Sequence, residues 1–562
     1  MRYASFFIAI FFLFSCQTAT SVVVIDNELT SVASSDSLVQ NVKLVIGITV
    51  DQMRADYIDK YWDGFGEDGF KRLINEGTWF RNNHFTYTPT YTGPGHASIY
   101  TGTTPAYHGV ISNDWYDKNL KKVIYCVSDT TVAGVGSSDP AGMMSPRNML
   151  SSTLGDELRL SNHYKSKSIG ISLKDRGAIL PAGHSANGAY WFHGQAAGLW
   201  ISSTYYMSEL PEWVQLFNSS GKAQAYMDQP WDLLKAESAY GASIADNNPY
   251  ETPFIGQIRP VFPYDLRELE SNNGGYDLLK ATPAGNDLTV DFALAALEGE
   301  ALGADEYCDL LAISFSTTDY VGHQFGPQSR ESQDTYMRLD LAIARLLEAL
   351  DEKVGKDNYI VFLTADHGAV QVPHYLMKNK MQSGYWNPDP MVEDITLMLN
   401  KKYGTGAYIL NYSNDQFFLN RKLLASKEVN LVEVQNLIAQ RALQHEGVYM
   451  TTTAQILSES EFTEGPLASV QRGFMGKRSG DVIVITQPAW LRYGPTGTSH
   501  GSVFAYDQLV PLVFYGPGIP EGKQVNDKTC IRDIAPTISN LLHISHPNTS
   551  TGKVLTPLLF KE

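Results

Sequence analysis

The sequence predicts an α/β fold in which a mostly parallel central sheet is flanked by helices and carries an inserted cap. Three observations point there. The run Lys43–Val50 is apolar at successive positions, as in a strand covered on both faces, and it ends in Asp51. From Leu288 to His367, strand-like and helix-like stretches alternate, which is the pattern of crossover connections in a parallel sheet. Several strand-like runs also end in carboxylates, imidazoles or cations, where open α/β sheets place their sites.

Composition bounds what such a fold can do. The 562 residues, 43% of them hydrophobic, allow roughly three or four domain-sized units or one large elaborated one. A formal net charge of −17 excludes a nucleic-acid duplex as partner, because that function requires a basic face. Any anionic substrate must therefore meet a locally positive site built from metal ions or a few placed cations.

The elements follow in order. Arg2 and the apolar run Phe6–Phe14 read as an export signal over residues 1–16. Leu13-Phe14-Ser15-Cys16 resembles a lipobox, so lipidation of Cys16 and plain cleavage into the periplasm both stand open, and membrane contact is expected only through such an anchor. Residues 17–41 are polar and aperiodic, a tether. Only Cys126, Cys308 and Cys530 remain after the signal; they allow at most one bridge and are read as small apolar residues.

The core is expected over 42–375 and 479–562. Within it, Gly69–Asn75 is helical, and Thr90–Ser98 forms a Gly/Pro turn before a helix beginning near His96. His108–Asp114 is a second turn-rich segment, and Ser168–Leu173 is a strand running into Lys174-Asp175-Arg176. Residues from about 185 to 280 are aromatic-rich and irregular, an elaboration over the core. A helix near Leu288–Leu302, a strand Leu310–Phe315 leading to Asp319, a helix Ser332–Leu350 and a strand Tyr359–Leu363 ending at Asp366-His367 follow. Residues 376–478 break the alternation and are assigned to the cap; Val482–Ile485 and Leu509–Tyr515 return to strand, and Ile531–Leu542 is a closing helix.

Thr92 is the candidate nucleophile, since a hydroxyl on a glycine-rich turn before a helix meets free N–H groups suited to an anion. Asp51, Asp319, Asp366, His323, His367 and His500 are candidate metal ligands. Singly, each has a plain structural explanation as a cap, turn or loop end. Together, three carboxylates and three imidazoles suit two metal ions, which about 4 Å apart would stabilise the attacking and leaving oxygens of a phosphoryl displacement.

Asp51, the Thr92 loop, Asp319-x-x-x-His323, Asp366-His367-Gly368 and His500 together resemble the alkaline phosphatase superfamily of dimetal phospho- and sulfohydrolases, over nearly the whole mature chain. The resemblance implies an alkaline-phosphatase-like core with two Zn2+. One would be held by Asp319, His323 and His500, the other by Asp51, Asp366 and His367 with the Thr92 oxygen beside it. Gly95–Pro105 and His108–Asn113 look like the nucleotide pyrophosphatase/phosphodiesterase branch, which implies Asn113 on a phosphoryl oxygen.

Lys174 and Arg176 look instead like the PafA-type alkaline phosphatases, periplasmic monoesterases. A monoester dianion carries one more charged oxygen than a diester, and alternate residues of an extended segment could both reach it. The expectation is a monomeric hydrolase of small phosphate monoesters, with a phosphodiesterase or phosphonate hydrolase as the rival. A glycan- or partner-binding surface lipoprotein with a decayed site is the rival from another class. A sulfatase is disfavoured because the nucleophile position is Thr92 followed by Gly-Pro-Gly.

Overall fold

The computed structural model describes residues 42–195 and 197–559; the signal over 1–16, Cys16 and the tether over 17–41 lie outside them. The fold is the expected mixed α/β one. Its core is an 11-stranded sheet. Five strands at its centre run parallel, in the order Tyr359–Thr364, Leu44–Val50, Asp309–Phe315, Ser168–Ser172 and Gly188–His193. Leu509–Tyr515 pairs antiparallel with Tyr359–Thr364, and beyond it come Thr78–His84 and Lys523–Val525. Every residue of Leu44–Val50, Asp309–Phe315 and Tyr359–Thr364 is buried, because helices cover both faces and leave no solvent side for a polar alternation.

The helix Arg330–Lys353 shows how one face is covered. Ser329 caps it by accepting from Ser332 N–H, and its buried stripe includes Leu339, Ile343, Leu346, Leu347 and Leu350. On the other side, the helix Thr92–Thr101 lies so close to the central strand that a Cβ on Gly47 would stand 2.3 Å from the Tyr100 hydroxyl. Gly47 therefore sets the depth at which the helix carrying Thr92 can sit.

The structure departs from the sequence reading in three places. Gly188–His193 and Leu199–Ser203 belong to the central sheet, so the aromatic-rich stretch expected to lie over the core contributes to it. Trp191 and Trp200 are buried side chains of those strands. Val482–Thr486, expected to rejoin the core, pairs instead with Gln416–Leu419 and Val448–Thr453 in a separate four-stranded sheet, so the boundary expected at 478 falls inside that unit. It has its own apolar cluster, with Trp386, Phe417, Ile438 and Val482. The helix expected near His96 begins at Thr92 itself, because Pro94 is compatible with a first helical turn. Cys126, Cys308 and Cys530 are free thiols, Cys126 buried in an apolar cluster.

Candidate active site

The parallel strands deliver their polar residues to one edge. Asp51 follows Leu44–Val50, Asp366 and His367 follow Tyr359–Thr364, Lys174 follows Ser168–Ser172, and Asp319 lies just past Asp309–Phe315. Asp319 and His323 sit in the helix Thr317–Phe325, one turn apart on the same face, and His323 Nε2 is 3.1 Å from Asp319 Oδ1. His500 Nε2 approaches the same oxygen at 3.6 Å from a loop after the second sheet. Gly95 lets the start of the Thr92 helix dock here, since a Cβ there would lie 2.4 Å from the Asp366 carbonyl oxygen.

All three imidazoles are oriented alike. Nδ1 of His323, His367 and His500 contacts the carbonyls of Thr498 at 2.7 Å, Gly368 at 3.0 Å and Thr90 at 2.7 Å. A carbonyl can only accept, so each Nδ1 carries a proton and each ring turns its Nε2 toward the centre. Burial pushes the His500 imidazole down to about 3 and His367 well below the ordinary range. His323 is also subject to burial, but Asp319 beside it outweighs that and holds it above its usual value.

Asp51 Oδ1, Asp366 Oδ2 and His367 Nε2 are buried and have no hydrogen-bond partner among the described residues. His367 Nε2 lies 3.5 Å from each of the other two. Three unpartnered ligand atoms converging in the interior are the donor set of a cation site. Two groups have ligand atoms all within 4.8 Å of one another, Asp319 with His323 and His500, and Asp51 with Asp319 and His367, so Asp319 stands between them. The residues fit divalent metal ions.

Charge makes the same point. Burial, then Asp319 and Asp366, pushes the Asp51 carboxyl well above the usual range, and burial raises Asp366 to about 7. Burial acts on Asp319 too, but His323 and Lys174 overcome it and hold that carboxyl well below its ordinary value. Lys174 Nζ lies 2.6 Å from Asp51 Oδ2 and 2.5 Å from Asp319 Oδ2. One ammonium does not neutralise three buried carboxylates.

Arg176 Nη2 is 3.5 Å from Thr92 Oγ1, and Asn113 Oδ1 accepts the Gly93 N–H at 2.7 Å. The two cations do not reach the site from an extended segment. Lys174 is the residue before the helix Asp175–Ala182 and Arg176 is in its first turn, so a strand-to-helix corner aims both side chains inward.

The sequence reading missed three residues. Gln52, at φ 65°, donates its N–H to Asp366 Oδ1 at 3.1 Å and its Nε2–H to Asp319 Oδ1 at 2.6 Å, tying two ligand carboxylates to one turn. His96 Nδ1 lies 2.9 Å from the Thr92 carbonyl and 3.3 Å from Asp366 Oδ2, and its Nε2 is 2.9 Å from Ser314 Oγ. Tyr125 accepts from Arg176 Nη1 at 3.0 Å. Position directly after Asp51 and in the Thr92 loop were the available signals for Gln52 and His96; nothing local marked Tyr125.

The profile of the family described as type I phosphodiesterase / nucleotide pyrophosphatase matches residues 45–503. The chain belongs to that family. Among its relatives is alkaline phosphatase PafA of Elizabethkingia meningoseptica, 41% identical over 94% of this chain and 96% of the relative. A Myroides odoratus protein named calcium-transporting ATPase is 42% identical over the same shares of the two chains. The solved structure of wild-type alkaline phosphatase PafA superposes with a TM-score of 0.88 at 40% identity, covering 92% of this chain and 99% of that one. A solved variant of PafA carries substitutions at one Thr, one Asn, one Lys and one Arg. Within the family, the chain is thus of the PafA type that Lys174 and Arg176 implied.

Proposed function

We propose that this family member hydrolyses small phosphate monoesters with Thr92 as nucleophile and two Zn2+ as cofactors. The observation that carries the reading is Arg176 Nη2 3.5 Å from Thr92 Oγ1, with Lys174 held in the same site between Asp51 and Asp319. Those two cations match the extra charged oxygen of a monoester dianion. The relatives' alkaline phosphatase names support it, as does the agreement in residue type and order between the PafA variant's Thr, Asn, Lys and Arg and Thr92, Asn113, Lys174 and Arg176 here.

Asp319, His323 and His500 would hold one ion and Asp51, Asp366 and His367 the other, with Thr92 Oγ beside the second. When bound, such a pair supplies Lewis acidity that favours the threonine alkoxide and offsets charge on the departing oxygen. The chain's own groups do the positioning. Thr92 Oγ gives its proton to solvent and bonds to phosphorus as the P–O bond to the alcohol breaks, and the departing alkoxide takes a proton back from solvent, giving a phosphothreonine and the free alcohol. Attack by water on that phosphorus releases inorganic phosphate and restores Thr92, with net retention. Arg176, Lys174, Asn113 and N–H groups of the first helical turn bind the non-bridging oxygens, and Tyr125 keeps the Arg176 guanidinium turned toward Thr92.

The family's own name favours a second reading, a phosphodiesterase. A decayed binding protein is not favoured, because all six candidate ligands converge and Arg176 faces the candidate nucleophile. The pump reading suggested by the Myroides name has no counterpart in this site, and no described helix is long and apolar enough to cross a membrane. Export and attachment, if Cys16 is lipidated, rest on the N-terminal sequence alone. Acid quenching of the enzyme during turnover, followed by mass spectrometry, tests the mechanism: phosphate is expected on the Thr92 peptide, and phosphate on a different residue would reject it.

A further inference from the structure

Away from the catalytic centre, a second group of carboxylates is buried without an ion pair among the described residues. Glu331, in the first turn of the helix Arg330–Lys353, is 0% exposed, and Glu251 is 3% exposed. One oxygen of each is held: the Tyr264 hydroxyl donates to Glu331 Oε1, and the Asn248 amide donates to Glu251 Oε1 at 2.6 Å. The other oxygen of each, Oε2, is buried with no hydrogen-bond partner among the described residues, and so is Asp246 Oδ1.

The backbone gathers these side chains. Ile244 N–H donates to the Gln328 carbonyl at 2.9 Å and Thr252 N–H to the Gln324 carbonyl at 2.9 Å, so the loop 244–252 lies along the segment that leads into Glu331. Burial and then the charge of Glu331 push the Glu251 carboxyl upward, with Asp246 adding to it. Arg330 acts on Glu251 and Asp246, but its Nη1 is engaged with Glu237 at 2.8 Å. Burying two ionised carboxylates beside a guanidinium whose ion pair is made with a third carboxylate, Glu237, is strongly unfavourable, and one divalent cation balances both.

We infer that Glu251 and Glu331 bind a hard divalent cation, Ca2+ by preference, at a site separate from the catalytic pair. The free donors are carboxylate oxygens, with no imidazole or thiol among them, which suits Ca2+ and not Zn2+. Among the described residues, triads with ligand atoms within 4.8 Å occur only at the catalytic centre. The ion here therefore takes two carboxylates and completes its shell with neutral oxygens and water, an irregular arrangement that Ca2+ accepts and Mg2+ resists. It also fastens a loop that braces the catalytic one: the Tyr250 carbonyl accepts from Gly497 N–H at 2.8 Å, and the Thr252 and Thr496 hydroxyls are 2.7 Å apart, close to His500 in sequence.

The test uses zinc-loaded full-length protein and its Glu251→Gln and Glu331→Gln variants, each exposed to Ca2+ and desalted. Elemental analysis and melting with and without added Ca2+ are the readouts. Wild type is expected to retain one Ca2+ per chain and to melt higher in Ca2+. Each variant should retain none and show no Ca2+ effect, at unchanged zinc content. If Glu331→Gln fails to fold, Glu251→Gln, whose side chain is on the loop, gives the same readout. A wild type that keeps no Ca2+ and melts alike with and without it would make the pair a protonated acid pair and overturn the proposal. Equal Ca2+ retention in wild type and variants, or retention of Mg2+ in its place, would overturn it too.

Discussion

The Tyr125 hydroxyl lies 3.0 Å from Arg176 Nη1 and itself donates to Asp175 Oδ1 at 2.5 Å, so the guanidinium facing Thr92 is steadied from behind by a phenol that a carboxylate orients. Tyr125→Phe removes both bonds and leaves the ring in place. A hydrogen bond to a charged group contributes about 1.5–3 kcal/mol, so kcat/KM for an aryl monoester should fall roughly ten- to a hundredfold. The matching diester, which needs the guanidinium less, should lose far less. Equal losses would make Tyr125 a packing residue.

Thr92→Ala should abolish turnover while leaving zinc content and melting temperature near those of wild type, because the Thr92 hydroxyl is the proposed attacking group and the six carboxylate and imidazole ligands remain. Thr92→Ser keeps a hydroxyl on the same helical turn and should retain measurable activity. Steady-state kinetics with elemental analysis on the same samples checks both.

Chelation should inactivate the protein and lower its melting temperature. Removing the ions leaves Asp51 Oδ1, Asp366 Oδ2 and His367 Nε2 buried and unpartnered, and a ligand that binds only the folded state stabilises it by mass action. Added Zn2+ should restore activity and melting temperature together. Calorimetry across a zinc titration reads this directly.

Acid stability has a source outside the metal cluster. His108 is fully buried; Val110 N–H donates to its Nδ1 at 3.2 Å, so Nε2–H faces Ser98 Oγ at 2.9 Å and a second ring proton has no place. Burial, then Arg478, lowers its pKa from 6.5 to about 3. Between those values the unfolded chain binds a proton that the folded one does not, so stability present above 6.5 is lost as pH falls toward 3. The slope from this residue reaches about 1.4 kcal/mol per pH unit. His108→Gln should flatten urea-unfolding free energy against pH by that amount across the window.

Much of this site was legible because its residues follow strands that announce themselves. Lys43–Val50 could hardly be anything but a buried strand, so Asp51 at its end stood out. The Asp319 and His323 spacing, read as a turn or a ligand pair, became decisive once it lay on a helix. Gln52 was hidden because its role depends on a left-handed turn that no neighbouring glycine signals. Tyr125 was hidden because its partner is 51 residues away. Gly188–His193 and Val482–Thr486 look alike as short buried runs. Only tertiary pairing sends the first to the central sheet and the second to the smaller one.

The central claim is that Lys174 and Arg176 make this a monoesterase. It is tested most directly by the ratio of kcat/KM for an aryl monophosphate to that for its methyl diester, measured in wild type and in the Lys174→Ala/Arg176→Ala double variant at fixed zinc. Wild type should favour the monoester by orders of magnitude, and the double variant should lose most of that preference while keeping diester activity. A wild type that prefers the diester, or a preference that survives removal of both cations, would contradict it.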